Sequence, residues 1–343
     1  MAASGKGRRG APPTMRDIAE AAGVSRTTVS LILNEKSDVR IPERTRELVR
    51  ETARQLDYRP SVLARELRTQ TSSIVGFIGD EIASGPFGGE LIAGAQSALS
   101  ESGRVLMVVN TGAEGDLASA PLSVFSDRGV DSIILATVLT REVEIPADLW
   151  DGSSVLLNCF SRLPESRSIL PDDYAGGRAA ARHLLGLGHR SFAYVGGEAE
   201  SHPIARRLAG VRDELATHDL GLPDSHVVTR GWHADAGYDG MVELDARDAL
   251  PTAVVCGNDR VALGVLDWAK HRSIDVPSQL SVVGFDDQEE IAAYTHPPLT
   301  TLRLPYREMG RAAIALLTGP AGESRTLDCP LIERASTAPP PGR

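Results

Sequence analysis

Residues 17–34 read DIAEAAGVSRTTVSLILN. Val29, Ile32 and Leu33 recur at i, i+3 and i+4, the spacing that gives a helix one apolar stripe. Arg26, Thr27 and Ser30 fall on another face, a row of hydrogen-bonding side chains with no obvious partner inside so short a segment. Just upstream, a helix over about 16–22 turns Ile18, Ala21 and Ala22 inward. Gly23-Val24-Ser25 makes a tight turn between the two, with the Ser25 hydroxyl placed to cap the second helix. Downstream, a third helix starts after VRIP, with Pro42 suited to its first position and Leu48, Val49, Thr52 and Leu56 inward. Two helices joined by a short glycine-containing turn and braced by a third form a helix-turn-helix.

In such a motif the second helix lies in the DNA major groove, and its N-terminal residues touch base edges. The Arg26 guanidinium matches guanine O6 and N7, while Thr27 and Ser30 suit bases or phosphates. Charge separates this from a merely solvated face. The 343-residue chain carries a net charge of −10, which taken whole argues against a polyanionic partner. The distribution reverses that. Residues 1–70 hold 14 Lys+Arg against 9 Asp+Glu, and the remainder holds 22 against 37. A basic head on an acidic body is the asymmetry expected when one module meets nucleic acid.

The other bulk properties narrow the class. A chain of this length at 42% hydrophobic composition supports two or three domains with a substantial core. No apolar run approaches the roughly 18 residues that cross a bilayer. The first fourteen residues, MAASGKGRRGAPPT, have no apolar stretch of the signal-peptide kind, so a cytoplasmic location is expected. Cys159, Cys256 and Cys329 lie far apart, without metal-ligand spacing, and read as buried free thiols.

From Ile74 onward short β-rich runs alternate with helical stretches. The strands read IVGFIG, RVLMVV, SIILATV, SVLLN, FAYVGG, HVVTR, TAVVCG, LSVVGF and TLRLP. Such alternation means βαβ units and parallel sheets, and the number of strands suits two doubly wound lobes. Ligands in these sheets bind beyond the carboxyl ends of strands. Those ends give Asp80, Asn158, Asn258-Asp259 and Asp286-Asp287. Carboxylates and amides facing one cleft suit the vicinal hydroxyls of a sugar. Arg207 adds a fork of donors, and Trp232 offers a flat ring to the C–H face of a pyranose.

TMRDIAEAAGVSRTTVSLILN, followed by IPERTRELVRETARQLDYRPSVLARELRT, resembles the head of the LacI/GalR family of bacterial transcriptional regulators. The body is similar to that family's sugar-binding core, of the periplasmic-binding-protein fold. The stretches that carry this are GPFGGELIAGA, DDYAGGRAAARHLLGLGHR, RRLAGVRDEL, VVCGNDRVALGVL, LSVVGFDDQE and PPLTTLRLPYREMGRAAIALL. About residues 14 to 334 are covered.

The resemblance implies an all-α head with a hinge helix and an α/β core of two doubly wound parallel-sheet lobes. The expected boundaries are a tail at 1–13, the head at 14–60, a hinge at 61–70, a core at 71–335 and a disordered tail at 336–343. Within the core, one lobe takes about 71–170 plus 300–328 and the other about 171–299 plus 329–335. The DNA-contacting set is Arg16, Ser25, Arg26, Thr27, Thr28, Ser30 and Asn34, with Ser61, Ala64 and Leu67 from the hinge. In the family the hinge orders on the operator and wedges a leucine into the minor groove. An eight-residue helix is marginal alone in water, which agrees. The effector-binding set is Asp80, Phe87, Asn158, Arg207, Trp232, Asn258 and Asp286.

The expected partners are a pseudo-palindromic double-stranded operator, a small-molecule effector of the sugar class and a second copy of the chain; no membrane is expected. No cofactor or metal is implied. A purine or another non-sugar effector, or an activator or corepressor-dependent mode, fits the same architecture. Three positions depart from the family pattern: Leu31 stands where Arg is usual, Ser61 where Asn is common and Asn158 where Asp is frequent. The first leaves the operator sequence its own.

Doubly wound lobes also occur in nucleotide enzymes. No G-x-G-x-x-G opens a helix after a strand, and no P-loop, nucleophile elbow or H-E-x-x-H is present. His183 and His189 have no further ligand cluster near them. An enzyme is therefore not expected, and the DNA-reading head argues against an extracellular solute-binding protein.

Overall fold

The structure, a computed structural model, describes residues 13–33, 40–58, 72–82, 87–100, 102–111, 119–145, 154–319 and 323–342. The chain divides into two units, Met1–Thr71 and Ser72–Arg343.

Among the described residues the first unit contains three helices, α1 (Met15–Ala22), α2 (Arg26–Leu33) and α3 (Glu43–Gln55). Thr14 and Asp17 form a reciprocal capping box on α1. Gly23, at φ 66°, closes α1 in the left-handed region that disfavours a side chain. The Ser25 hydroxyl accepts from the Thr28 backbone N–H at 3.0 Å, as its place before α2 predicts. Ile18, Ala19, Ala22, Val29, Ile32, Val49 and Ala53 fill the small core. Three inward assignments are corrected. In α1 Ala19 is buried and Ala21 exposed, and Leu48 of α3 and Leu56 just after it are exposed. Val49, Thr52 and Ala53 share one face at i, i+3 and i+4, so Leu48, one residue off, turns away. The buried Thr52 hydroxyl is satisfied by donating to the Leu48 carbonyl at 2.8 Å.

The second unit holds two six-stranded sheets. The first has the order β11 (Arg325–Leu327), β5 (Ser168–Pro171), β4 (Ser154–Phe160), β3 (Ile133–Glu142), β1 (Ile74–Gly79) and β2 (Val105–Asn110), all parallel. The second has the order β12 (Leu331–Ile332), β10 (Thr300–Arg303), β9 (Ser281–Asp286), β8 (Ala253–Cys256), β6 (Phe192–Val195) and β7 (Val227–Val228). Only β12 runs antiparallel to its neighbour. Both sheets follow the doubly wound order 2-1-3-4-5 with one added edge strand, which puts ligand-facing loops at the carboxyl ends.

The lobes exchange chain three times, after β5, after β10 and between β11 and β12. This corrects the expected lobe limits. Residues 300–303 lie in the second sheet, because β10 pairs in parallel with β9 from Thr300↔Val283 to Arg303↔Asp286. The following helix, Tyr306–Thr318, and β11 lie in the first lobe, the helix packed against Gly88–Ser100.

A second correction concerns the end of the chain. Residues 336–342 are not a disordered tail. Ser336 is fully buried, accepts from the Thr300 N–H at 2.8 Å and donates to the Val282 carbonyl at 2.6 Å. His189 Nε2 donates to the Ala338 carbonyl at 2.8 Å, which fixes its tautomer, and burial lowers the imidazole pKa. The final segment thus satisfies polar groups of the second lobe that would otherwise be orphaned.

Three helix pairs are held together by reciprocal glycines. A Cβ on Gly177 would meet the Arg207 carbonyl oxygen at 2.1 Å, and one on Gly210 would meet that of Tyr174 at 2.1 Å. Gly94 and Gly310 pair the first-lobe helices alike, as Gly237 and Gly264 pair Ala234–Ala246 with Asp259–His271. This close approach sets helix His202–Ala216 against Asp173–Gly186 and so brings Arg207 to the site.

Candidate functional site

In the head, Arg26 and Thr27 are exposed on the first turn of α2, with Thr28 and Ser30 half-buried beside them. Ser25 is exposed, and its hydroxyl lies 2.8 Å from that of Thr28, so this pair is shared between capping and outward display. Arg16 is exposed and paired with Glu20 at 2.9 Å. The α2 N-terminus therefore presents a fork of donors and two hydroxyls, the chemistry that reads base edges and phosphates. Asn34, Ser61, Ala64 and Leu67 lie outside the described residues.

In the core, a cavity of about 220 Å³ opens between the lobes at the carboxyl ends of both sheets. The first lobe lines it with Phe87, Val138, Leu139, Thr140, Asn158, Pro171 and Tyr306. The second supplies Pro203, Arg207, Trp232, Asn258, Arg260, Asp286 and Leu304. Six of the seven expected effector residues are thus brought together.

Arg207 is 4% exposed and organises the second-lobe wall. Its Nε donates to Asp173 Oδ1 at 2.8 Å and its Nη1 to the Gly257 carbonyl at 2.6 Å. Asp286 Oδ1 lies 3.9 Å from Nη1, and the guanidinium sits 3.6 Å above the Phe285 ring. Nη2 has no hydrogen-bond partner among the described residues. Burial works against the charge on Arg207, but Asp173 and Asp286 outweigh it and the pKa is raised further. The two acids respond to the same burial. Asp173 is raised despite the pull of Arg207, and Asp286 is pushed well above the usual carboxylate range. Burial leads for Asp286, Arg207 opposes it, and Asp259 and Asp173 add repulsion. A carboxyl so placed takes a proton readily and can meet a ligand hydroxyl as acceptor or donor.

Asp286 ends β9 with a φ of 112°, and Asn158, inside β4, has a φ of 58°, positive values that Asp and Asn tolerate better than most side chains. Asn158 has a more structural place than expected. Its Nδ2 donates to the Thr137 and Val138 carbonyls at 2.9 and 3.0 Å, and its Oδ1 accepts from Thr140 at 2.6 Å. Those partners lie in a bulge, for the β3–β4 register shifts between Ala136 and Arg141. The bulge pushes Val138, Leu139 and Thr140 into the cleft, and Asn158 holds it there.

Asp80 is a correction. It does not line the cavity: its carboxylate accepts from the Val138 N–H at 2.7 Å and from Arg141 at 3.0 Å. Both bonds brace the same bulge from behind. Asn258 caps the helix Asp259–His271 through the Val261 N–H at 2.9 Å and donates to the Trp232 carbonyl at 3.2 Å, fixing both cleft residues together.

Sequence reasoning missed Arg260 and Tyr306. Each follows a recognised strand end by a few residues, one after Asn258 and one after TLRLP, so reading two residues further would have found them. Phe87 packs edge-on to Tyr306 at 6.0 Å between ring centroids. Burial raises the Tyr306 phenol well above its ordinary value, so it stays protonated.

Residues 14–61 match the family of bacterial regulatory proteins, lacI family, and residues 181–337 match a periplasmic binding protein-like domain. The chain is 31% identical over 306 residues to the ribose operon repressor of Escherichia coli K12, covering 89% of this chain and 92% of that protein. It is 30% identical to the HTH-type transcriptional repressor PurR of Vibrio cholerae serotype O1, over 89% and 90% of the two chains. Among solved structures, the Lac repressor dimer bound to operator and the anti-inducer ONPF superposes with a TM-score of 0.75 at 25% identity, covering 96% of this chain and all of that one. The transcriptional regulator CelR–cellobiose complex gives 0.65 at 26% identity, over 94% and 99%. The chain belongs to the LacI family of bacterial regulatory proteins, DNA-binding transcriptional regulators that join a helix-turn-helix head to a periplasmic-binding-protein-like core.

Proposed function

We propose that this chain is a non-catalytic, homodimeric repressor of the bacterial cytoplasm whose operator affinity is set by a sugar bound between the two core lobes. Two heads read half-sites of a pseudo-palindromic operator, with Arg26, Thr27 and Ser30 facing the major groove and Arg16, Ser25 and Thr28 set beside them. Asn34 follows them in sequence, and Ser61, Ala64 and Leu67 supply the minor-groove hinge.

The observation that carries the reading is the arrangement around Arg207. A guanidinium whose Nη2 has no partner among the described residues stands beside a buried carboxyl, Asp286, and an aromatic ring, Trp232, in one interlobe cleft. Vicinal hydroxyls meet donor and acceptor there, and the ring takes the C–H face. Phe87, Asn158 and Asn258 complete the walls. A ligand that touches both lobes favours the closed arrangement, and it changes DNA affinity only by its differential affinity for the two states. The coupling is reciprocal: if the sugar weakens DNA binding, DNA weakens sugar binding by the same factor.

A second reading has its own support. Phe87 and Trp232 line the cleft from opposite lobes, an arrangement that also suits a flat heteroaromatic ring such as a purine. Trp232 is one of three tryptophans, so fluorescence titration with aldoses, disaccharides and purine bases separates the two. Saturable quenching by a sugar, abolished in Asp286→Ala, supports the first reading; response to purines alone replaces it with the second.

A further inference from the structure

The cleft carries two arginines with different surroundings. Arg207 lies against Asp173 and Asp286. Arg260, in the first turn of Asp259–His271, makes no ion pair with any described residue. Its Nε donates to Gln288 Oε1 at 3.2 Å, and Gln288 is itself held by its N–H on Asp259 Oδ2 at 2.7 Å. On the first-lobe side the guanidinium sits 5.5 Å from the Phe87 ring centroid. Both terminal nitrogens remain without a protein acceptor among the described residues, and the side chain lines the cavity.

The balance of charge points the same way. Asp286 is the one acidic residue among the described residues lining the cavity, against Arg207 and Arg260. Burial favours the neutral form of Asp286, which leaves the wall more positive still. A guanidinium held by an amide and an aromatic face has lost little of its remaining freedom to the ligand, and its planar fork matches the oxygens of a carboxylate or phosphate. A neutral effector would close the lobes over a guanidinium that no described acid pairs with directly, Asp286 acting on it only at longer range, and desolvation makes such a charge costly.

We propose that Arg260 is an anion subsite, and that the effector carries a phosphate or carboxylate substituent seated on its Nη1 and Nη2 while the hydroxyls face Arg207, Asn258 and Asp286. This rests on the interlobe cleft being the effector site. Because Phe87 of the opposite lobe packs on the same guanidinium, the anion is read where the lobes meet.

Calorimetric titration of the full chain with matched ligands tests the subsite. The neutral probes are ribose and glucose; the anionic ones are ribose 5-phosphate, glucose 6-phosphate, glucuronate and inorganic phosphate. The expected result is an anionic member that binds about tenfold or more tighter than its neutral parent, as charge-assisted hydrogen bonds provide. Arg260→Gln erases that preference and Arg260→Lys keeps part of it, with both variants melting at the wild-type temperature. Phosphate and glucuronate distinguish the two anion types. Neutral parents binding as well as their anionic partners, or a preference that survives Arg260→Gln, overturns the subsite and leaves the sugar reading intact. Failure of every anionic probe, phosphate included, also overturns it; failure of the neutral probes as well removes the sugar reading with it.

Discussion

Replacing Arg207 by Met keeps much of the stem volume and removes the charge. Two buried carboxyls then lose their counter-ion, since Asp173 is 2.8 Å and Asp286 3.9 Å from the guanidinium. The Gly257 carbonyl loses its donor as well. Removing one partner of a buried pair costs about 3–5 kcal/mol, because the remaining charge stays uncompensated. Protonation of the acids limits that loss, so its size depends on pH. Both acids already have raised pKa values in the folded state. A raised carboxyl binds more protons in the native than in the unfolded state, so stability falls as pH climbs from the unfolded toward the folded pKa. Loss of Arg207 raises both further and steepens that fall. Arg207→Met is therefore expected to lose about 3–5 kcal/mol at pH 7.5 and distinctly less at pH 5. Urea unfolding followed by tryptophan fluorescence measures this in the core alone, because all three tryptophans, at 150, 232 and 268, follow residue 71. Asp173→Asn in the same background is expected to restore part of the loss at the higher pH. A cost below about 1 kcal/mol at pH 7.5, or an equal cost at both pH values, refutes the reasoning.

Ser336→Ala leaves the buried Thr300 N–H without its acceptor and should lower core stability by about 1–3 kcal/mol in urea, whereas an unstructured tail would give no change. Gly177→Ala drives a methyl against the Arg207 carbonyl and should cost about 1–3 kcal/mol while weakening the effector that Arg207 positions; calorimetry and urea unfolding together check both parts. Arg26→Ala should weaken operator binding by about 1–3 kcal/mol and relax preference at one base pair, read by gel shift on operator variants; uniform weakening across all sequences would assign Arg26 to phosphate instead.

The parts of the fold legible in the sequence were those with local signals. Gly23 and Ser25 mark the turn of the head, and the nine β-rich runs all fall on strands, the HVVTR run shrinking to two residues in β7. The short strands β5, β11 and β12 escaped, because two to four residues carry no periodicity. The docked end of the chain escaped for another reason. RASTAPPPGR has the composition of a solvated tail, and what holds it is a set of buried partners, His189, Ser281 and Thr300, that lie far away in sequence. The strand-end rule found most of the cleft, yet it placed Asp80 there too. Nothing local reveals that a bulge in the neighbouring strand will claim both oxygens of that carboxylate. Arg260 was passed over because a helical arginine usually faces solvent; only the fold shows it turned into the cavity over Phe87.

A ligand in the interlobe cleft is expected to change how tightly the head holds DNA. Footprinting of the full chain on the DNA upstream of its own gene, with and without neutral and anionic sugars, tests it directly. The expected result is a two-fold-symmetric footprint whose midpoint concentration shifts with one of these ligands, and a shift that disappears in Asp286→Ala. A footprint that no ligand moves, or one moved equally in the wild type and in Asp286→Ala, contradicts it.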